Sequence, residues 1–489
     1  MEYQSDGLSR EEIRKKRRKK ERMQAIALFA TILLVVLLAI GGVVFALVRV
    51  FTGSKDSDKD IMVDAVTTES VAVEDTASAE IPQEDNNSET EMPEETEDVD
   101  TEESGAKEAD TEEGESEEPD SEETSLSDEI INDILGTEDK EALEKKVAEK
   151  ISSMTLEEKV AGLFFVTPAQ LMGRESDVTT VGSEFGDAVN QYPVGGIVLD
   201  ESNMVSEEEF ETLVFNLGVY IDEETFIGIE NEGGEDAPFV AKGFSENVIA
   251  SHQEIGANLG VSGAYSAGIS LGSELRQYGI EVNFTPNVDV AISNDSIAAK
   301  EGFGVDAAMT AELGKNLVKG LSDQGISAAV GHFPSYGDVT HDGDGGQLTS
   351  NRTKEDLQKE YAPYLEAIDA GADFVVVSHV GLPKIRGDKR PASLSKEVIT
   401  DIIRTEWEYD GIVITDFMNR SCMYQKYTYA EAAVGAIEAG ADMILCPKNL
   451  QKSYKGIMDA INDGTLTEER IDESLKRIYR VKLSESATN

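Results

Sequence analysis

The chain has 489 residues, enough for two or three domains by length alone. Its 97 Asp and Glu against 43 Lys and Arg give a formal net charge of -54, which argues against nucleic acid as a partner because phosphate binding needs a basic face. Two cysteines, Cys422 and Cys446, and four histidines argue against a disulfide framework, a Cys-rich zinc module and a multi-histidine metal centre.

The charge is unevenly spread along the chain. Residues 1–50 carry 10 Lys and Arg against 5 Asp and Glu, and the basic cluster runs from Arg10 to Arg22. An uncharged apolar run follows at once, from about Ala25 to Val48. About 24 residues at ~1.5 Å each make roughly 36 Å of helix, enough to span a bilayer with some tilt. A signal-peptide core would be shorter, about 7–15 residues, with a small-residue cleavage site behind it. Neither is seen, so the run reads as a retained transmembrane helix rather than a cleaved leader. The positive-inside rule then puts the basic tail in the cytoplasm and everything after Phe51 outside the cell. A nucleic-acid arm is the alternative reading of the basic cluster.

Residues 51–130 carry 31 Asp and Glu against 3 Lys. From about Thr52 to Asp128 the chain is rich in Glu, Asp, Ser and Thr and has no aromatic residue. Such a segment cannot bury enough apolar surface to fold, and like charges extend it. It reads as a disordered acidic spacer that holds a domain away from a membrane. The domain plan is therefore a basic tail (1–24), a transmembrane helix (25–50), an acidic linker (51–129) and a folded region (130–489).

From about Ile130 the chain regains periodicity. Residues 138–153 have helical apolar spacing, and Thr155 with Glu158 makes a capping-box signature for the next helix. Short apolar runs then alternate with helical stretches. Candidate strands are 163–166, 195–199, 226–229, 281–285, 327–330, 374–378, 411–415 and 443–445, with amphipathic helices such as 307–324, 354–370 and 395–407 between them. Eight strands each followed by helical material predict a (β/α)8 barrel of the TIM type. A doubly wound open sheet is the alternative, but no turn reads G-x-G-x-x-G.

In such a barrel the chemistry belongs at the carboxyl ends of the strands. Glu230, Asn231 and Glu232 follow the third strand, and Asn287 and Asp289 follow the fourth. His332 follows the fifth and opens a loop with Asp338, His341, Asp342 and Asp344. His379 ends the sixth strand and Asp416 the seventh. A rim of carboxylates suits hydroxyl-rich neutral ligands, which donate hydrogen bonds to Asp and Glu, and two opposed carboxyls suit glycoside hydrolysis. Cys422 reads as a packing thiol, and Trp407, in the helix before the seventh strand, as a core residue rather than a sugar platform.

Several ordered strings sharpen this. They are Met154-Thr155-Leu156-Glu157-Glu158-Lys159, Gly195-Gly196-Ile197, Glu232-Gly233-Gly234 and Asn283-Phe284-Thr285-Pro286. Further on come Phe303-Gly304, His332-Phe333-Pro334 with Gly337-Asp338, His379-Val380, Pro391-Ala392-Ser393-Leu394-Ser395 and Gly411-Ile412-Val413-Ile414-Thr415-Asp416. With these strings the stretch from Ile151 to Leu483 resembles the barrel domain of glycoside hydrolase family 3, in particular its bacterial β-N-acetylhexosaminidase branch. The resemblance implies a retaining enzyme with Asp416 as nucleophile and no metal or organic cofactor. It implies a carbohydrate substrate, with Glu230, Asp289, His332 and His379 as candidate sugar contacts. In that branch the acid/base is a histidine in a loop of the form K-H-F-P-G-H-G-D-T-x-x-D-S-H, oriented by the Asp two residues before it.

The chain departs from that pattern in its charged positions. Asp342 matches the orienting Asp, but the histidine position is Asp344, the candidate acid/base here. The Lys before His-Phe-Pro is Gly331, and the Arg of R-S-F-G is Glu301. The Asp of D-x-E-G-G is Glu230, and the Arg just after that string is Glu235. Three readings stay open: an active glycosidase with an altered site, a glycan-binding domain without catalysis, and a structural or regulatory partner of envelope proteins. The expected substrate is a terminal β-linked N-acetylhexosamine or related sugar of a cell-envelope glycan. With the last barrel helix near 468–481, no second sandwich domain is expected to supply the acid/base.

Overall fold

The computed structural model of the chain describes residues 140–485, except Glu246 and Asp342. The basic tail, the expected transmembrane helix and the acidic linker lie outside the described residues, as does Asp342. Among the described residues, no helix is long and apolar enough to cross a membrane.

Eight short parallel strands form the centre: β1 (Phe164–Val166), β2 (Gly196–Leu199), β3 (Phe226–Ile229), β4 (Val282–Asn283), β5 (Ser327–Phe333), β6 (Phe374–Val377), β7 (Ile412–Thr415) and β8 (Ile444–Leu445). Each pairs with the next from β1 to β7, and β8 returns to β1 through Phe164–Ile444 and Phe165–Leu445. A bridge between Ile414 and Met443, with Asp442 N donating to Val413 O at 2.7 Å, joins β7 to β8 and closes the ring. The expected (β/α)8 barrel is therefore the architecture found. β2, β6 and β7 are apolar runs rich in β-branched residues and buried throughout, as a sheet wrapped by helices requires.

Helices form where caps and apolar spacing coincide. Thr155 accepts from Glu158 N while Glu158 returns a bond to Thr155 N, so the capping box starts helix Leu156–Ala161. The helix expected at 354–370 is instead two, Lys354–Gln358 and Tyr361–Asp369. Glu360 leaves helical geometry between them and pairs with the buried Arg352 at 2.7 Å. Pro363, which has no N–H to donate, is then accommodated in the first turn of the second helix. Trp407 packs edge-on against Phe333 (4.5 Å) and Tyr361 (5.1 Å), a core position as expected.

The barrel lumen is filled from below by rings. Phe226 and Phe374, at the starts of β3 and β6, meet at 5.4 Å. Phe165 lies 6.3 Å from Phe226 and 5.3 Å from Phe284, and Phe284 lies 6.4 Å from Phe417 at the top. Gly196 makes room for this column, because a Cβ there would fall 2.5 Å from the Phe165 ring. Lys482 closes the floor with its ammonium 4.7 Å from the Phe226 ring centre and its charge on Glu281 at 2.6 Å. The lumen is a packed core, so space for a ligand exists only above it.

Candidate active site

A cavity of about 510 Å³ opens at the carboxyl end of the strands. Glu230, Glu232, Glu301, His332, Tyr336 and Asp416 are among its walls. A second cavity of about 460 Å³ adjoins it and shares Glu230, Glu232, Asp236 and Phe417.

The turn after β3 aims two glutamates. Asn231, fully buried, donates its N–H to Asn283 Oδ1 (2.9 Å) and accepts at its carbonyl from Asn283 Nδ2 (2.9 Å). Its own Oδ1 takes Gly233 N–H at 3.2 Å, and Gly233 sits at φ 76°, where a Cβ would strike the Ala250 carbonyl. With Asn231 locked inward, its neighbours Glu230 and Glu232 face the cavity. Glu230 is exposed to the cavity, yet the surrounding protein desolvates its carboxyl and, with the charges of Asp416 and Glu301, pushes it up to about 7 against the pull of His332 and Arg420. Burial and the repulsion of Glu230 and Glu301 raise Glu232 as well.

Asp416 ends β7, 4 % exposed. Its Oδ1 accepts from Phe417 N–H at 2.6 Å, and its Oδ2 accepts from the Tyr336 hydroxyl. Burial opposes its charge, but His332, the Tyr336 hydroxyl and Arg420 outweigh burial and hold its carboxyl below the usual range. Asp416 is thus an ionised carboxylate on the cavity wall. His332 lies on the same wall. Burial disfavours its cation, yet Asp289, Asp416 and Glu230 push it up to about 10.

Asp289 and His379 are placed behind the wall rather than on it. Asp289 accepts from His332 N (2.9 Å), Tyr364 Oη (2.6 Å) and Tyr336 N (3.0 Å), and its Oδ2 lies 3.5 Å from His332 Nδ1. It positions His332 and Tyr336 and has no face left for a sugar. His379 is buried between Ser393 Oγ (2.8 Å) and Phe417 O (3.1 Å), and burial lowers its pKa. Asp344 is also outside the cavity lining. Its side chain is 64 % exposed and lies 3.6 Å from Arg420 Nη1, while its Oδ1 takes Ser421 N–H at 3.3 Å.

Two working residues, Tyr336 and Arg352, were not singled out in the chain order. Tyr336 stands where the branch's loop has its second histidine, and that exchange was the one available clue. Arg352, 6 % exposed, secures the loop from below. It donates to Ser335 O at 2.6 Å and Ser350 Oγ at 2.8 Å, and pairs with Glu360. Cys422 is buried under Gly343, and burial pushes its thiol up to about 12, so it is a packing residue.

Residues 155–481 match the family model described as the glycosyl hydrolase family 3 N-terminal domain. The chain is 25 % identical over 338 residues to β-hexosaminidase A of Pseudoalteromonas piscicida, covering 62 % of this chain and 56 % of that one. It is 29 % identical over 262 residues to a β-N-acetylglucosaminidase/β-glucosidase of Cellulomonas fimi, covering 50 % and 46 %. It thus spans about half the length of these curated relatives. The solved family 3 β-N-acetylglucosaminidase of Paenibacillus sp. strain FPU-7 superposes with a TM-score of 0.63 at 30 % identity, over 69 % of this chain and 64 % of that one. The barrel, its acidic mouth and these matches agree: the chain belongs to glycoside hydrolase family 3.

Proposed function

We propose that the barrel is a retaining glycoside hydrolase of the β-hexosaminidase type, with Asp416 as its nucleophile. The observation that carries this reading is Asp416 itself, a carboxylate held ionised at the end of β7 on the wall of the mouth. In a retaining mechanism it attacks the anomeric carbon while a second carboxyl protonates the leaving oxygen, and water then releases the sugar. The cationic His332 beside it balances its charge before attack and offers an N–H to a sugar hydroxyl. Asp344 is the proposed proton donor. It would have to leave Arg420, which lines the cavity, and swing inward to reach the scissile oxygen.

The order of a basic tail, an apolar run and an acidic spacer supports a single-pass membrane anchor with the barrel outside the cell. Envelope glycans are then the reachable substrates. Protease digestion of the barrel on intact cells tests this topology, and full protection would contradict it.

A second reading, glycan binding without turnover, is favoured by the place of Asp344 outside the cavity. One experiment separates the two. The full chain is incubated with aryl β-glycosides, beside Asp416→Asn and Asp344→Asn. The hydrolase reading expects turnover that Asp416→Asn abolishes. It expects Asp344→Asn to slow substrates with poor leaving groups by about 100-fold. Turnover indifferent to Asp416 would refute the retaining mechanism, and no turnover on any glycoside would leave the binding role.

A further inference from the structure

The barrel mouth has a property that binding neutral hydroxyls does not require. Glu230, Glu232 and Asp236 stand on the wall common to both cavities. Asp200 and Glu201 extend acidic lining into the smaller one, and Glu301 does so in the larger. Against the six carboxylates of the larger cavity its lining sets three cations, Lys300, His332 and Arg420. Arg420 is engaged with Asp344, and His332 with Asp289. Among the described residues Glu230 has neither an ion pair nor a hydrogen bond. The nearest basic group to Glu232 is His252 at 3.8 Å, which burial brings down to about 4 and so leaves neutral. At Glu235 and Glu301 an anion stands where the resembling pattern has an arginine.

Carboxylates that outnumber the cations of a cavity are costly unless a ligand brings the missing charge. We infer that the mouth selects sugars bearing a free, positively charged amine, that is, β-linked hexosamine lacking its N-acetyl group, alone or in an oligomer. This rests on the reading of the mouth as a glycoside site and adds the charge of its ligand. An ammonium brings three N–H donors and a positive charge, which suits two or three carboxylates together. An acetamide brings one N–H and a carbonyl oxygen, and that oxygen would face other acceptors. The upward shifts of Glu230 and Glu232 agree in direction: loss of water around the carboxyls is the main cause, and the neighbouring carboxylates add to it against the opposing charge of His332 and, at Glu230, of Arg420. A divalent metal is the other source of positive charge. Among the described residues, however, no group of three side chains converges as metal ligands.

The test compares the full chain on aryl β-glucosaminide, N-acetyl-β-glucosaminide and β-glucoside. Binding of glucosamine oligomers and of their N-acetylated counterparts is measured in parallel by calorimetry on Asp416→Asn. The inference expects kcat/KM for the glucosaminide to exceed that for the acetylated substrate at least about tenfold, a difference that Glu230→Gln and Glu232→Gln each shrink. A preference for the acetylated sugar, or one that survives both substitutions, overturns it. So does tighter Glu230-dependent binding of calcium or magnesium than of glucosamine oligomers. If nothing turns over, binding decides. Glucosamine oligomers held by the chain and released by Glu230→Gln uphold the inference while the hydrolase reading fails, and no such binding overturns the inference.

Discussion

The two ends of the barrel treat their carboxylates in opposite ways. At the floor, Asp442 is fully buried yet satisfied: Arg404 and Arg477 pair with it, and Ser474 Oγ (2.9 Å) and Val413 N (2.9 Å) donate to it. Glu281 takes Lys482 there, and Asp373 takes the Ser327 hydroxyl at 2.6 Å. At the mouth, Glu230 and Glu232 face a cavity with no such partners. The chain has cations at both ends, but those lining the mouth, Lys300, His332 and Arg420, are outnumbered by its carboxylates. A floor of paired charges ties the last helix to the strands. A mouth with an excess of carboxylates stores a demand that a ligand can meet. Acidic composition alone could not distinguish these two uses.

Substitutions at each end test that contrast. The largest effect is expected from Asp416→Asn, which should lower glycoside turnover by about 1,000-fold or more. Steady-state rates on an aryl glycoside give the answer, and a loss under tenfold would take Asp416 out of the chemistry. At the floor, Asp442→Ala leaves two arginines without their shared anion, and about 3–5 kcal/mol of stability should go with it. Denaturant unfolding of this variant with a cost below 1 kcal/mol would remove the structural half of the contrast.

Tyr336→Phe removes a donor from a charged acceptor, a bond worth about 1.5–3 kcal/mol. Losing it raises the Asp416 pKa, so the acidic limb of the kcat/KM profile should move to higher pH. An unmoved limb would mean that the hydroxyl does not support the carboxylate. The smallest effect concerns Glu230. Its folded pKa of about 7 lies above the ordinary value of 4.5, so the neutral acid is the form that folding prefers. That contribution is fully present below 4.5 and is lost as pH rises through 7. Glu230→Gln should leave thermal stability nearly unchanged at pH 5 and raise it slightly at pH 8. The side chain opens to the cavity, so solvent screens the effect to a degree or two, roughly. Destabilisation at pH 8 would show that Glu230 has a partner at the mouth.

Much of this fold could be read along the chain, because most strands are short apolar runs that must be buried on both faces. All eight runs became strands, with ends displaced by a residue or two for most of them. The break at Glu360 was hidden because it depends on Arg352, whose burial only the tertiary fold reveals. The site was legible where position alone decides direction: Glu230, His332 and Asp416 sit at strand ends and reach the cavity. It was not legible where a distant partner decides. Asp289 is turned inward by Tyr364, 75 residues away, and Asp344 is drawn to Arg420 by a fold-dependent contact. Tyr336 was not singled out in the sequence, and its hydroxyl acquires meaning only beside Asp416.

The most direct measurement is the intact mass of the full chain after reaction with a 5-fluoro-β-glycosyl fluoride, followed by peptide mapping. The fluorine slows release of a covalent glycosyl-enzyme, so a retaining nucleophile is caught in place. The account predicts the mass of one sugar on the peptide that contains Asp416, and none in Asp416→Asn. A label on another residue, or unlabelled protein under conditions where the sugar is hydrolysed, would contradict it.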